Sequence, residues 1–313
     1  MRIIFFGSSG FSVPLLRSVV QDTVCVVTKR AKPKGRGYSL DDNEVKREAE
    51  TSGLPLIEID SFKDDVVKTL PDYSPDLFVV ASFGLIVPRW VLDMPLMGPL
   101  NVHPSLLPLY RGPSPIQWTL LSGDGISGIT FIKMNEKMDE GDVIYQEQVT
   151  VGEKENYIEL SGRLSEKAAG MLPRVLSAIE MHGVMEGTVQ SREKATYAPI
   201  ITKEMGLIDW TKSAVVIDRQ VRAFIRWPTA YTFLDGKMLK VFRATVTGSQ
   251  DSVMPNPGRI KGVTKEGLVV ATGLGLLTIE ELQMENKRRM KAYDFAQGSR
   301  GLAGKMLTDK VDA

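Results

Sequence analysis

The feature that most constrains the fold is a change in the spacing of apolar residues at 187–206. Before that segment, short apolar runs rich in Val, Ile and Phe alternate with longer amphipathic runs. The short runs are typical of buried strands, and they are RIIFF (2–6), VCVVTK (24–29), LFVVAS (77–82) and GITFIKM (128–134). The longer runs have helical periodicity and cover 11–21, 42–53, 61–70 and 155–182. Strands that alternate with helices predict an α/β fold with a mostly parallel sheet and helices on both faces.

The segment 187–206 is polar, contains Pro199 and Gly206, and is typical of a linker. After it, a helical pattern over about 214–225 leads into short apolar runs that are separated by turn dipeptides such as Asp235-Gly236. Those runs are YTFLDG, KVFRATV, GRIKGV, GLVVAT and GLLTIEEL. Short strands at this spacing predict a small antiparallel barrel or sandwich. We therefore predict a first domain over 1–188, a linker over 189–206 and a second domain over 207–313.

Composition narrows the class of protein. A chain of 313 residues with 43% hydrophobic and 25% charged residues is typical of two globular domains. No run approaches the ~18 apolar residues of a membrane span, and the N-terminus has the pattern of a strand rather than a targeting peptide. The single cysteine, Cys25, lies in the apolar run VCVV, which is typical of a buried hydrophobic residue in a reducing compartment. We expect a cytoplasmic protein.

The overall net charge of +1 conceals an uneven distribution. Residues 203–313 contain 18 Lys and Arg against 12 Asp and Glu, a net charge of +6, whereas the residues before them have a net charge of −5. This asymmetry indicates an anionic partner for the second half, or else a chance imbalance on a solvated surface. Two basic runs, KRAKPKGRG (29–37) and KRRMK (287–291), are candidate contacts to a phosphate backbone, although a solvated loop would have the same composition.

Asn101 and His103 are the strongest candidates for chemistry. They lie two residues apart at the end of an apolar run, so on a strand both side chains project from one face. Pro104 ends that strand, which puts the pair at its carboxyl end, where open parallel sheets bind ligands. An amide donor beside an imidazole could stabilise an oxyanion and move protons. A hydrogen-bonded structural histidine beside a turn is the alternative.

A second candidate is the acidic turn MDEGD (138–142), which follows another apolar strand. One of its three carboxylates could face the Asn–His pair from a neighbouring strand end, orient the imidazole and favour its charged form. The alternative is a solvated acidic turn. A metal site is not predicted, because the two histidines are far apart in sequence and the one cysteine adds no ligand spacing.

The segment GSSGF (7–11) joins the first strand to a helix, where phosphate-binding loops occur. It lacks the full G-x-G-x-x-G pattern, so a plain glycine-rich turn is favoured over a dinucleotide site. A nucleotide-dependent dehydrogenase therefore remains only a weak alternative. A non-catalytic RNA-binding protein is another alternative, and it predicts binding of RNA without any catalysed reaction.

The combination of NVHPSLLPLYRG (101–112) with MDEGD resembles the folate-dependent formyltransferases. In that family an Asn and a His two residues apart act with an Asp about 36 residues after the His, and Asp139 stands at that distance, unlike Glu140 or Asp142. The basic loop at 29–37 resembles that of the branch that formylates methionyl-tRNA. So do three further segments, YAPIITKEMGLIDW (197–210), RAFIRWP (222–228) and KVFRA (240–244). The resemblance covers nearly the whole chain and follows the family's domain order.

The resemblance implies a Rossmann-like first domain and a C-terminal barrel similar to an OB fold. It implies formyl transfer from 10-formyltetrahydrofolate, as co-substrate, to the methionine amine of initiator methionyl-tRNA, with Asn101, His103 and Asp139 as the catalytic set. The matching folate-contacting positions are Ser105, Leu106, Leu107 and Pro108, with the pteridine pocket at Phe83, Gly84, Leu85 and Ile86. Three places depart from the family's usual residues: Gly10, Tyr110 and Pro113-Ser114.

We expect the basic runs to bind the acceptor stem of the tRNA. The predicted contacts near the active site are Lys29, Arg30, Lys32, Lys34 and Arg36, and those on the barrel are Lys287, Arg288 and Arg289. Nothing in the sequence requires more than a monomer. The alternatives within the family are enzymes that formylate a sugar nucleotide or glycinamide ribonucleotide, or that hydrolyse the folate. The basic loop argues against all of them, and the C-terminal barrel argues against the ribonucleotide enzyme.

Overall fold

The computed structural model describes residues 1–31, 33–34, 39–40, 43–248, 252–299 and 301–309. Of the predicted tRNA contacts, Lys32 and Arg36 lie outside the described residues, and Lys34 is described in its backbone alone. The chain forms two compact units. The first comprises Met1–Pro115, Gly125–Val151 and Leu160–Pro199, and the second comprises Ile116–Asp124, Gly152–Glu159 and Ile200–Ala313.

The strands up to residue 150 are β1 Ile3–Gly7, β2 Thr23–Lys29, β3 Pro33–Lys34, β4 Ser39–Leu40, β5 Leu56–Ile59, β6 Leu77–Ala81, β7 Pro99–His103, β8 Ile126–Lys133 and β9 Asp142–Thr150. Seven of them form one sheet in the order β5-β2-β1-β6-β7-β8-β9, while β3 and β4 pair with each other. Pairing is parallel from β5 to β7 and antiparallel from β7 to β9. The chain order reverses between β1 and β6, which is the position where open α/β sheets form a ligand-binding crevice.

The helices before residue 183 are α1 Ser12–Ser18, α2 Glu44–Thr51, α3 Arg89–Leu92, α4 Pro115–Ser122 and α5 Tyr157–His182, of which α4 belongs almost entirely to the second unit. Every residue of β1 and β6 is buried, as expected for strands covered on both faces. The helix predicted at 61–70 is wrong in type and limits, because a 3₁₀ helix at Asp65–Tyr73 replaces it and contains Pro71. Proline lacks the amide hydrogen that a continuous α-helix would use there.

Cys25 is fully buried in β2, as the apolar run around it predicts. Burial raises the pKa of its thiol to about 11, because a thiolate would lose its hydration in this core. The thiol is therefore a packing group rather than a nucleophile. None of the helices in the described ranges is long and apolar enough to cross a membrane.

The second unit contains α6 Ala214–Ala223, β10 Ala230–Leu234, β11 Lys237–Thr247, β12 Ile260–Val263, β13 Leu268–Ala271, β14 Leu276–Met284, β15 Met290–Lys291, α7 Ala292–Gln297 and β16 Leu307–Thr308. Six strands form an antiparallel sheet in the order β12-β13-β14-β11-β10-β16, and β15 pairs with β14. The two end strands meet, because the Leu307 amide donates to the Gly258 carbonyl (2.8 Å) and the Ile260 amide donates to the Lys305 carbonyl (2.9 Å). The sheet therefore curls into a barrel.

Alternating side chains of the barrel strands fill its interior together with one face of α6. Ile217 and Val221 of α6 are buried in the same cluster as Leu239, Val241 and Leu282 of the strands. The Ser213 hydroxyl caps α6 by accepting from the Val216 amide. The predicted fold class, a Rossmann-like, mostly parallel α/β sheet followed by an antiparallel C-terminal barrel, is confirmed.

Candidate active site

The ends of β7 and of the turn after β8 bring three polar side chains together. Asn101 and His103 project from the same face of β7, and both reach the carboxylate of Asp139. The Asn101 Nδ2 atom donates to Asp139 Oδ1 at 3.4 Å, and His103 Nδ1 lies 3.6 Å from the same oxygen. The structure thus assembles the predicted set at the carboxyl end of β7, which pairs with β6, one of the two strands at the topological switch point.

Asp139 is held in place by its own backbone and by the segment that follows β7. It has a left-handed φ of 55°, which the tight turn before β9 requires. Its Oδ2 atom accepts a hydrogen bond from the Gly112 amide at 2.8 Å. Gly141 completes the turn, because a Cβ there would collide with the Lys133 carbonyl oxygen. Both carboxylate oxygens of Asp139 are therefore directed by fixed partners.

Of the other two carboxylates in the acidic turn, neither faces the Asn–His pair. Glu140 lies 3.6 Å from Arg111 and 3.9 Å from Lys137, and Asp142 begins β9 opposite Lys133. Asp139 alone among the three contacts His103, in agreement with the spacing that singles it out in the sequence.

The imidazole of His103 is buried and contacts an acceptor on each ring nitrogen. Nε2 lies 3.0 Å from the Tyr110 carbonyl oxygen, and Nδ1 faces Asp139. Tyr110 has a left-handed φ of 61°, which turns its carbonyl group toward the ring. Because a carbonyl oxygen only accepts, the contact to Tyr110 is a hydrogen bond that the ring donates from Nε2. Both ring nitrogens therefore have fixed neighbours, which orient the imidazole.

Residues 105–108 form a rigid wall beside this set. The Thr130 hydroxyl donates to the Ser105 carbonyl (2.6 Å) and accepts from the Leu107 amide (3.1 Å), and the Ser105 hydroxyl donates to the Leu109 carbonyl (2.6 Å). Ser105 is fully buried and Leu107 nearly so, whereas Leu106 and Pro108 are partly exposed. Any ligand at this wall would therefore meet Leu106, Pro108 and backbone atoms rather than the side chains of Ser105 and Leu107.

The loop after β6 is anchored at one end and exposed at the other. Phe83 is buried against Phe6 and Phe62, at ring-centroid distances of 5.4 and 5.9 Å. Gly84 has a φ of 76°, Leu85 is partly buried, and Ile86 is 74% exposed. The exposed part of the loop offers backbone and one apolar side chain to a ligand, while Phe83 fixes its position.

Two models of the same family match the chain. One, described as formyl transferase, matches residues 1–176, and the other, described as the formyl transferase C-terminal domain, matches residues 200–300. The chain belongs to the formyl transferase family. As a member it is a group-transfer enzyme, which decides against the dehydrogenase and the non-catalytic RNA-binding protein.

Relatives and solved structures agree with this assignment. The methionyl-tRNA formyltransferase of Syntrophus aciditrophicus (strain SB) is 40% identical over 311 residues, 98% of this chain and 99% of the relative. That of Alkaliphilus oremlandii (strain OhILAs) is 37% identical with the same coverage. The fold is similar to that of the methionyl-tRNA formyltransferase from Clostridium thermocellum (TM-score 0.56, 17% identity, 79% of this chain and 94% of that one).

It is also similar to HypX from Aquifex aeolicus, solved in complex with tetrahydrofolic acid, with a TM-score of 0.66 and 19% identity over 97% of this chain. The chain spans about half, 48%, of the length of HypX. At this identity the similarity concerns the fold alone.

The glycine-rich turn GSSGF of this formyl transferase is tied to the end of β6 and the loop after it by the hydroxyl groups of Ser9 and of Ser12, the first residue of α1. Ser9 Oγ donates to Ser82 Oγ (2.8 Å), and Ser12 Oγ donates to the Ala81 carbonyl (2.6 Å). These bonds support the interpretation as a plain turn. Within the described ranges, no group of three or more His, Cys, Asp or Glu side chains is arranged to hold a metal ion.

The predicted tRNA contacts that the structure describes differ in their surroundings. Lys29 ends β2, and its Nζ lies 3.6 Å from where a Cβ of Gly84 would stand, so it sits beside the loop after β6. Arg30 is exposed and pairs with Asp60 at 2.8 Å. Lys287 and Arg288 are exposed in the turn between β14 and β15. Arg289 is instead engaged by Glu281 and lies 4.5 Å over the Phe242 ring.

Sequence reasoning missed two buried polar residues next to the Asn–His–Asp set, Arg111 and Gln190. Arg111 is inside the NVHPSLLPLYRG motif, but its burial is not visible in the sequence. Gln190 lies in the polar segment that the sequence predicts to be a linker. It reaches the turn around Asp139 because that segment folds back along β9. An isolated bridge between Thr188 and Val143 fixes this path.

Proposed function

We propose that this enzyme transfers a formyl group from 10-formyltetrahydrofolate to the methionine amine of initiator methionyl-tRNA, producing N-formylmethionyl-tRNA for translation initiation. The observation that carries the proposal is the convergence of Asn101, His103 and Asp139 at the end of β7, in a chain 37–40% identical to methionyl-tRNA formyltransferases over nearly its full length. This function also implies a cytoplasmic location.

The transfer is direct. The methionine amine attacks the formyl carbon, a new C–N bond forms, and negative charge develops on the formyl oxygen. Asn101 donates its amide hydrogen to that oxygen, an interaction of a kind worth about 3 kcal/mol in other oxyanion sites. The amide has two hydrogens, so it can do this while keeping its long contact to Asp139.

His103 moves the proton. It takes a proton from the attacking amine and returns it to folate nitrogen N10 as the old C–N bond breaks and its electron pair passes to that nitrogen. The Nδ1 atom, which faces Asn101 and Asp139, is the exchanging position, because Nε2 is held by the Tyr110 carbonyl. Asp139 orients the ring and stabilises its charged form during the transfer. No covalent intermediate with the enzyme is required.

The folate lies, in this proposal, between the wall at 105–108 and the loop at 83–86. The partly exposed side chains of Leu106, Pro108 and Leu85 would contact its apolar faces, and the backbone of Phe83–Ile86 would bond the pteridine edge. Burial of Ser105 and Leu107 supports a positioning role for those two side chains.

The proposed tRNA contacts are assigned from the positive charge of Lys and Arg residues, because the tRNA presents a row of negatively charged phosphates. We assign the loop from Lys29 to Arg36 to the acceptor end of the tRNA near the active site, and the exposed Lys287 and Arg288 of the barrel to the stem. A positively charged barrel is suited to a row of phosphates. Arg289 already pairs with Glu281, so it has to exchange this partner for a phosphate to join them.

The enzyme acts as a monomer, with the domains at 1–188 and 207–313 joined by the linker at 189–206.

The test is a formylation assay with purified enzyme and 10-formyltetrahydrofolate. Charged initiator tRNA is compared with uncharged tRNA, with free methionine and with an amino sugar nucleotide as acceptors. We expect formylation of the charged tRNA at a kcat/KM at least 100-fold above that of the small amines. Formylation of a small amine alone would overturn the proposed acceptor, and release of formate without any acceptor would indicate a hydrolase.

A further inference from the structure

Gln190 holds the backbone of the turn that carries Asp139. The residue is 7% exposed, and its Nε2 atom donates to two carbonyl oxygens, that of Asp139 at 2.8 Å and that of Gly141 at 2.7 Å. These carbonyls flank Glu140, so one amide group fixes the course of the chain on both sides of it. The left-handed φ of Asp139 makes this turn one whose conformation needs such support.

Arg111 fixes the orientation of the Gln190 amide. The guanidinium donates to Gln190 Oε1 twice, from Nε at 3.1 Å and from Nη2 at 2.8 Å, and it is itself 3% exposed. Because Arg111 can only donate, Oε1 must face it, and the two Nε2 hydrogens must face the carbonyls. Glu140 balances the buried guanidinium charge at 3.6 Å.

Arg111 stands between two residues that contact the catalytic set. The carbonyl of Tyr110 before it accepts from His103, and the amide of Gly112 after it donates to Asp139. Gln190 therefore ties the segment 110–112 to the turn 139–141. These two segments carry the groups that contact the imidazole and the carboxylate.

We propose that Gln190 is a positioning residue for formyl transfer, which sets Asp139 against His103 without touching either substrate. The proposal rests on the function proposed above. Its physical basis is that catalytic groups must be held within a fraction of an ångström, and that a misplacement of about 1 Å can lower the rate about 100-fold.

The experiment replaces Gln190 by Leu, which keeps the approximate volume and removes the amide. We expect kcat for formylation to fall about 10- to 100-fold, while KM for folate and for tRNA changes less than about threefold, because the buried amide of Gln190 makes its hydrogen bonds to the protein itself. Gln220→Leu is the matched control. The Gln220 amide also donates to two backbone carbonyls, those of Met205 (2.8 Å) and Leu207 (3.0 Å), but in the second unit.

The control separates positioning from stability. We expect Gln220→Leu to lower the melting temperature to a similar extent and to leave kcat within about twofold of the parent enzyme. An unchanged kcat in Gln190→Leu, or an equal loss of kcat in both variants, overturns the proposal. Should Gln190→Leu fail to fold, Gln190→Glu gives the same test, because it retains pairing with Arg111 and loses the amide donors. A normal kcat in Gln190→Glu would also overturn it.

A double-mutant cycle tests whether Gln190 acts through Asp139. In an Asp139→Asn enzyme, we expect the added Gln190→Leu change to lower kcat by less than about threefold, because residues that act as one unit are not additive. A full 10- to 100-fold further loss would show an independent effect and refute positioning through Asp139. If the parent enzyme does not formylate methionyl-tRNA at all, the proposed function fails instead, so the two failures are distinguishable.

Discussion

At the scale of single residues, His103 is unusual in having a fixed acceptor on each side of its ring, the Tyr110 carbonyl and the Asp139 carboxylate. A structural histidine would also be hydrogen-bonded, but the Asn101 amide directed at the same carboxylate gives this one a neighbouring oxyanion donor. The sequence predicts the pair Asn101 and His103 because a spacing of two on a strand is a local property, whereas the choice of Asp139 among the three carboxylates comes from the family resemblance. The sequence does not predict the contact to Tyr110, because that depends on a left-handed backbone seven residues away.

Substitution of His103 by Ala should abolish proton transfer, and substitution of Asn101 by Ala should remove the oxyanion donor. We expect kcat to fall about 10²- to 10⁴-fold in His103→Ala and about 10²- to 10³-fold in Asn101→Ala. Folate affinity, measured by calorimetry, should stay within about threefold. The control is His182→Ala, which changes the only other histidine, an exposed residue at the end of α5. A turnover near that of the parent enzyme in His103→Ala would contradict the mechanism.

At the scale of elements, β8 supports the segment 105–108 through one side chain. Thr130 is fully buried, and its hydroxyl joins the Ser105 carbonyl, the Leu107 amide and the Gln146 amide. The wall is therefore built by a strand whose own sequence, GITFIKM, indicates only burial. Hydrophobic periodicity predicts that this strand exists, but which buried threonine bonds to which loop is decided by register with β7.

Thr130→Val keeps the shape of the side chain and removes these three hydrogen bonds. Each buried group that loses its partner costs about 1–3 kcal/mol, so the free energy of unfolding should fall measurably in urea titrations. We also expect weaker binding of folate, by about 10-fold, since the wall is no longer fixed. Thr232→Val is the control, because Thr232 is equally buried and bonds Trp210 and Thr308 in the barrel. Equal folate affinity in both variants would show that Thr130 has only a structural role.

Two strands that the sequence failed to predict share a physical cause. β5 and β9 are the two edge strands of their sheet, and each pairs with a single neighbour. Most of β9 is partly or fully exposed, with Gln and Glu among its residues, so its apolar periodicity is weak. Central strands such as β1 and β6 are buried on both faces, so a continuous run of apolar residues is enough to predict them.

At the scale of the whole molecule, the sequence reveals the type of each unit better than the contacts within it. The order and spacing of apolar runs predict the α/β pattern and an antiparallel barrel or sandwich, and the family resemblance selects the barrel. The packing of Gln190 against the turn at 139–141 was not predictable, since a contact between residues about 50 positions apart has no local signature. The difference in net charge between residues 203–313 and the rest of the chain is, in contrast, a property of composition. Its consequence for tRNA binding can therefore be predicted and tested without knowledge of the structure.

A net charge of +6 on residues 203–313 predicts that tRNA affinity falls steeply as salt rises, because binding releases the counterions that phosphates hold. The exposed pair Lys287 and Arg288 should contribute directly to this dependence. In the double variant Lys287→Ala, Arg288→Ala we expect a higher Kd for tRNA. We also expect the slope of log Kd against log salt concentration to be smaller by about 2, one for each lost phosphate contact.

The matched control is the double variant Lys63→Ala, Lys68→Ala. It removes two exposed cations of the first unit that lie outside the assigned tRNA contacts. Filter binding over a range of salt concentrations measures both slopes. A slope that is unchanged in the barrel variant, or that falls equally in the control, would mean that the turn between β14 and β15 does not contact the phosphates and that the charge acts only at a distance.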